Sequence, residues 1–386
     1  MTAIPLTVTG LRARVVESER DLESLRDGWA LLQSRCARTT IFSTWEWSVA
    51  AWRHLNREHR MFVVIVEHEE GLVGIAPLVI ESKWPMRVVR FMGAGSLDYS
   101  VADYGDILVS EGLEQEVLDQ ILQVLHHHSD DWDILDLHQV PGHSPLILSA
   151  WLDDVDRRGL PFSVDRQDVA YQIDLPDTWQ GYLEMLSGNA RSSLGRKMRK
   201  LESEHDTRFE RVYEPSRLQE ALNTLFSLHT ARWRSRGLPG IFDTMQMQEF
   251  HREVASRFLE RGWLDLTILC SDGEAVGAIY NYEYDDTVSF YASGFQPKPE
   301  WDRYSLGTAL LSCSITRAID GRMAMFDLLR GDGEYKSRLG ARPATAYRIR
   351  IASARAAHTA YTVVSKLHRG ATVLTSRLRK AKGSDL

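Results

Sequence analysis

Cysteine is scarce in this chain. Its 386 residues hold three, Cys36, Cys270 and Cys313, an odd number at wide spacing. That spacing makes neither a disulfide framework nor a zinc pattern, and it suits a reducing cytosol. Long apolar runs are missing too: stretches such as Met61–Val66 fall far short of the roughly 20 residues a membrane-spanning helix needs. The opening MTAIPLTVTGLRARVV has no continuous apolar core behind a basic start, so no secretory leader is read and a cytoplasmic protein is expected. Positive charge is not in excess. With 46 Lys and Arg against 53 Asp and Glu, the formal net charge is -7, which speaks against a general DNA binder while leaving room for a local basic patch. Low-complexity linkers are absent. His126, His127 and His128 stand together near a helix end, where consecutive side chains fan apart, so no metal is assigned.

What is present is a soluble globular composition, 44% hydrophobic and 26% charged, with length for two or three domains. Strand and helix signals alternate throughout, which predicts an α/β (α+β) fold. MFVVIVEHEEGLVGIAPLVIE reads as a hairpin around EEG, and LDLTILCSDGEAVGAIYNYEY as another around SDGE. Val73-Gly74 stands in the first hairpin where Val276-Gly277 stands in the second. FMGAGSLDYSVADYG likewise resembles FYASGFQPKPEWDRYS, again about 200 residues later. The expectation is two copies of one unit, each a mixed, mostly antiparallel sheet flanked by helices. The divisions expected are 1–165, 166–352 and a basic helical tail, 353–386.

The residues that could carry chemistry gather late in the chain. Tyr304-Ser305-Leu306-Gly307-Thr308 leads into a helix start, whose unpaired N–H groups and dipole favour an anion such as a pyrophosphate. An ordinary helix cap reads the same way. In FDLLRGDGEYKSRLGA an apolar strand delivers Arg330, two glycines, Tyr335 and Lys336 to one place. Arg330 offers a forked cation for phosphate or carboxylate, Lys336 a point charge and Tyr335 a phenol proton, although a solvated turn is the plain alternative. His229 shares a helix face with Arg232 and Trp233 and could take a proton from an acceptor; Glu283 is a competing base. Asp98, Tyr99, Asp103 and Tyr104 cluster after glycines in the first copy, as acceptor-recognising or simple turn residues. A basic stretch, GNARSSLGRKMRKLESEH, and the tail could meet phosphates or an anionic membrane surface.

The order hairpin, strand, anion-ready helix, strand, short helix resembles the core of the GNAT acyltransferase superfamily. FDLLRGDGEYKSRLGA, LFSLHTARWRSRG and ADYGDILV resemble segments of its CelD-like branch, which is related to the Fem aminoacyltransferases. The resemblance spans about 41–351. It implies an acyl-CoA, acetyl-CoA among them, held between two splayed parallel strands at 288–294 and 325–329. It also implies backbone N–H groups near Ala292 and Ser293 for an oxyanion, and a charge-holding role for Lys336. The acceptor implied is an amine or hydroxyl of a sugar, amino acid or small metabolite in envelope or exopolysaccharide synthesis. The first copy, with its extra strand signal YGDILV and no SLGT-like helix start, is not expected to bind CoA. Rival readings are a Fem-like transfer from aminoacyl-tRNA and a non-catalytic binding module. The acceptor, acyl length and oligomeric state stay open.

Overall fold

The computed structural model describes residues 10–93, 101–331 and 333–353. Asp98, Tyr99 and nearly all of the expected tail lie outside them. The described chain forms two compact units, 10–39 with 58–167 and 347–353, and 40–57 with 168–346. The crossing falls at 167/168, but two exchanges depart from a simple division near 165. The first has a clear physical cause: Phe42 and Trp47, the latter on α1 (Trp45–Ala51), pack their rings against Tyr282 and Tyr291 of the second unit.

The first unit is built on β1 (Arg12–Val16), β2 (Arg60–His68), β3 (Gly71–Lys83), β4 (Met86–Phe91), β5 (Leu108–Val109) and β6 (Ile134–Pro141). They run β1-β2-β3-β4-β6, with β5 on β3. β4 and β6 are parallel, paired only at Val88–Ile134 and Val89–Leu135. Helix α2 (Glu114–His127) repeats apolar residues at helical spacing and buries Val117, Leu118, Ile121, Leu122 and Leu125 in the core.

The second unit begins along β7 (Phe162–Asp174), with α3 (Gly188–Glu204), β8 (Thr207–Arg211), α4 (Pro215–Arg234), α5 (Met245–Glu260), β9 (Leu264–Ser271), β10 (Glu274–Tyr284) and β11 (Thr287–Phe295). It continues through α6 (Leu306–Asp320), β12 (Met325–Arg330) and α7 (Gly333–Arg338). Its strands run β7-β12-β11-β10-β9-β8, antiparallel except for β11 with β12. The last strand, β13 (Arg342–Ala352), returns the chain to the first unit, where Ile349 and Ile351 join the core.

Both expected hairpins form, and they share an irregularity. Val66 pairs with Gly74 and Glu67 with Leu72, which leaves Val73 as an extra residue. Cys270 pairs with Ala275 and Leu269 with Gly277, which leaves Val276. Each bulge is followed by a glycine under a long helix. A Cβ on Gly74 would stand 2.2 Å from Val117 of α2, and one on Gly277 3.1 Å from Leu310 of α6. The same β-bulge, glycine and overlying helix occur in both units, so each is an instance of one plan.

Candidate active site

The parallel ladder between β11 and β12 holds at Thr287–Met325, Val288–Phe326 and Ser289–Asp327, then stops. β11 runs on to Phe295 and β12 to Arg330. Past Ser289 the two strands are no longer paired.

The tip of β12 is held open by its own chemistry. Buried Asp327 accepts the Leu329 N–H at 2.7 Å and Gln172 Nε2 at 2.8 Å. Leu329 sits at φ 56°, a conformation costly for a branched side chain, and pairing with β7 slips between Asp327 and Arg330. Lys336, 2% exposed, donates to the carbonyls of Leu328, Leu329 and Arg330 at 2.9, 2.9 and 2.8 Å. An ammonium carries three protons, and all three are committed. The point charge expected at Lys336 is therefore turned inward as a clamp on the strand end. Its neighbour Tyr335 is 41% exposed. Arg330 is half-buried at the same tip.

Helix α6 starts from Ser305 at φ 53° with no side-chain cap. Thr308 and Ala309 N–H groups return to the Ser305 carbonyl, and those of Leu306 and Gly307 have no partner among the described residues. A Cβ on Gly307 would stand 2.9 Å from the Phe295 ring, so glycine lets the tip of β11 lie against the helix start. Of the expected cofactor contacts Tyr304 and Leu306, only the Leu306 backbone N–H is unpartnered among the described residues, since the Tyr304 N–H goes to the Trp301 carbonyl at 3.1 Å. Leu306 is core, and the Tyr304 hydroxyl donates to Glu204 at 2.6 Å.

Arg232 connects these parts. It lies 4.2 Å over the Phe295 ring and donates to Ser293 Oγ at 3.2 Å. Burial, with Arg236 nearby, pushes its pKa down to about 10, opposed by Tyr335. Gly294 explains how α4 comes so near: a Cβ there would sit 2.3 Å from the backbone nitrogen of His229. His229 is thus beside Ser293, 3% exposed, its pKa pushed down to about 4 by burial and then by Arg232. Nδ1 is sealed without a partner, whereas Nε2 is not among the sealed nitrogens. Trp233 packs 5.9 Å from its ring.

His251 was not legible as a site residue. It occupies the apolar stripe Phe250, His251, Val254, Ala255, Phe258 of α5, and only its being the one polar member hinted at it. Both ring nitrogens are buried without partners among Phe242, Phe250, Tyr280 and Tyr291. Burial, then His229, push its pKa down to about 3. Phe295 and Asp327 were missed as well, since their roles depend on strand ends meeting in space. Glu283 is not brought to this place as a free base: both its oxygens accept from Arg211, at 2.9 and 2.6 Å.

The corresponding place in the first unit is built differently. Gly112 N–H at the start of α2 goes to Glu114, and Glu114 and Glu116 fill the first turn with negative charge. Beyond the β4–β6 ladder, buried Asp136 takes Arg348 at 2.7 and 2.8 Å and His138 at 3.1 Å, while Gln167 donates toward His138 Nδ1. Among the described residues, the start of α2 carries two carboxylates where that of α6 carries none, and charged groups fill the space past the parallel strands. Asp103 and Tyr104 are buried within it, 9% and 6% exposed. No group of metal-binding side chains occurs among the described residues, nor does any helix there suffice to cross a membrane.

Residues 188–337 match the family model of an acetyltransferase (GNAT) domain. No curated protein matches the chain. Among solved structures, FemX is similar with a TM-score of 0.60 at 9% identity, over 88% of this chain and 96% of that one. L-PGS from Bacillus licheniformis gives 0.55 at 14% identity, over 91% and 97%. The C-terminal domain (DUF2156) of an Agrobacterium fabrum protein described as a lysylphosphatidylglycerol synthetase gives 0.55 at 10%, also over 91% and 97%. At these identities the likeness is one of fold.

Proposed function

We propose that the second unit transfers an acyl group from an acyl-CoA directly to an amine or hydroxyl acceptor. The observation that carries this reading is the β11–β12 ladder that ends at Ser289–Asp327 beside an uncapped helix start. The N–H groups of Leu306 and Gly307 suit the donor's pyrophosphate, and the gap between the strands suits its thioester arm. Backbone N–H groups near Ala292 and Ser293 receive the carbonyl oxygen as it becomes an oxyanion. The acceptor's nitrogen or oxygen attacks the thioester carbon while its proton passes to His229 Nε2, directly or through water. The carbon–sulfur bond breaks, and the Tyr335 hydroxyl protonates the departing thiolate and is reprotonated from solvent. A covalent cysteine intermediate is disfavoured because burial raises all three thiol pKa values, that of Cys36 to about 12.

We further propose, on the resemblance of FDLLRGDGEYKSRLGA and LFSLHTARWRSRG to CelD-like segments, that the acceptor belongs to envelope or exopolysaccharide synthesis. A second reading, transfer of an amino acid from aminoacyl-tRNA, is favoured by fold likeness to FemX, to L-PGS and to the C-terminal domain described as that of a lysylphosphatidylglycerol synthetase. Calorimetric titration with acetyl-CoA separates the two. Micromolar binding is expected for the unmodified protein and none for Gly307→Val, whose side chain would strike Phe295 and cover the N–H groups. His229→Gln should bind normally and turn over about 10²–10⁴-fold more slowly. Failure to bind any CoA thioester overturns the acyl-CoA reading.

A further inference from the structure

Several arginines on the surface of this protein are paired: Arg14 with Glu67, Arg60 with Glu17, Arg217 with Glu210, Arg234 with Asp243 and Arg342 with Asp174. Helix α3 instead gathers cations on one short stretch. From Gly188 to Leu201 it carries Arg191, Arg196, Lys197, Arg199 and Lys200 and no carboxylate. Leu194 and Leu201 bury its inner face, leaving Arg191, Arg196 and Arg199 exposed. Arg196 and Arg199 have neither an ion pair nor a hydrogen bond among the described residues. In a chain of net charge -7, several unneutralised cations on one helix need a reason, because their mutual repulsion is uncompensated.

Their position supplies one. Lys200 Nζ lies 5.7 Å from the Tyr304 ring, two residues before the unpartnered N–H of Leu306, and Tyr304 is tied to α3 through Glu204. Glu204 is itself engaged by the Tyr304 hydroxyl and by Arg303. Arg196 precedes Lys200 by one helical turn on the same face, and Arg199 follows Arg196 at i+3. The cations therefore begin at the helix start assigned to the pyrophosphate and lead away from it.

Resting on the acyl-CoA reading above, we infer that the Arg196–Arg199–Lys200 face of α3 binds the phosphomonoester on the ribose of the donor nucleotide. This group lies one sugar away from the pyrophosphate and carries the donor's largest local charge. Forked guanidinium contacts to it are charge-assisted and specific. The face thereby selects CoA thioesters over donors that end in an unphosphorylated ribose.

The test titrates acetyl-CoA and 3′-dephospho-acetyl-CoA into the unmodified protein and into an Arg196→Ala, Arg199→Ala double variant. Both positions are exposed on a helix, where alanine is the best helix former, so the fold is retained. The unmodified protein should bind the dephospho thioester ten- to a hundredfold more weakly, and the double variant should bind both equally weakly. That preference should shrink as salt is raised. Equal binding of the two thioesters by the unmodified protein, or an undiminished preference in the variant, overturns the assignment of α3 alone. Binding of neither thioester overturns the acyl-CoA reading itself. In that case a salt-sensitive affinity for an RNA hairpin, lost in the variant, would give the cations to RNA.

Discussion

A lysine and a tyrosine that adjoin in sequence divide their work here. Tyr335 faces outward while Lys336 is 2% exposed with its protons on three carbonyls. Neighbours on a helix point about 100° apart, so the division is natural, but which one turns inward depends on how β12 curls. Composition and order therefore announced the Tyr-Lys pair and could not apportion it. Lys336→Met would strip the donors from three carbonyls at once, each left unsatisfied at about 1–3 kcal/mol. A loss of about 3 kcal/mol or more is expected in urea unfolding, along with loss of activity. A variant of unchanged stability but no turnover would instead return Lys336 to the reacting atoms.

At the scale of elements, the apposition of α4 on β11 rests on a missing side chain. A Cβ on Gly294 would meet His229 backbone, which cannot rotate away, so Gly294→Ala must push helix and strand apart. It should cost about 1–3 kcal/mol and lower turnover, because His229 and Arg232 move together off Ser293. Gly277→Ala, which meets only a leucine methyl at 3.1 Å, should cost less than Gly294→Ala in the same unfolding assay. Hairpins, the recurrence of the Val-Gly pair and the α6 start were readable from sequence because local patterns specify them: alternation, a turn and a helical period; the bulges at those pairs were not. The inward clamp, the Phe295–Gly307 contact and the pairing of Glu283 with Arg211 were not, since each joins residues from separate strands and helices.

For the molecule as a whole, buried ionisable groups in the two units pull stability in opposite directions with pH. Asp106 of the first unit is held by Ser144 Oγ at 2.6 Å and the Ile107 N–H, yet burial raises its pKa to about 7. Folding then favours its protonated form, and that stability disappears as pH rises from about 4 through 7. In the second unit His229 and His251 are depressed to about 4 and about 3, so their contribution is present above 6.5 and fades as pH falls. Each pKa unit corresponds to about 1.4 kcal/mol. The stability gained by Asp106→Asn should therefore grow from pH 4 to 7, and that gained by His251→Phe should grow from pH 6.5 downward. Parallel slopes in a thermal-shift series would refute this. The loan of 40–57 to the second unit has a consequence for biosynthesis. A ribosome releases Trp47 long before β10 and β11, whose tyrosines cover it, exist. Until β10 and β11 have been made, that tryptophan-rich helix must wait uncovered, so the second unit closes around a segment made far earlier.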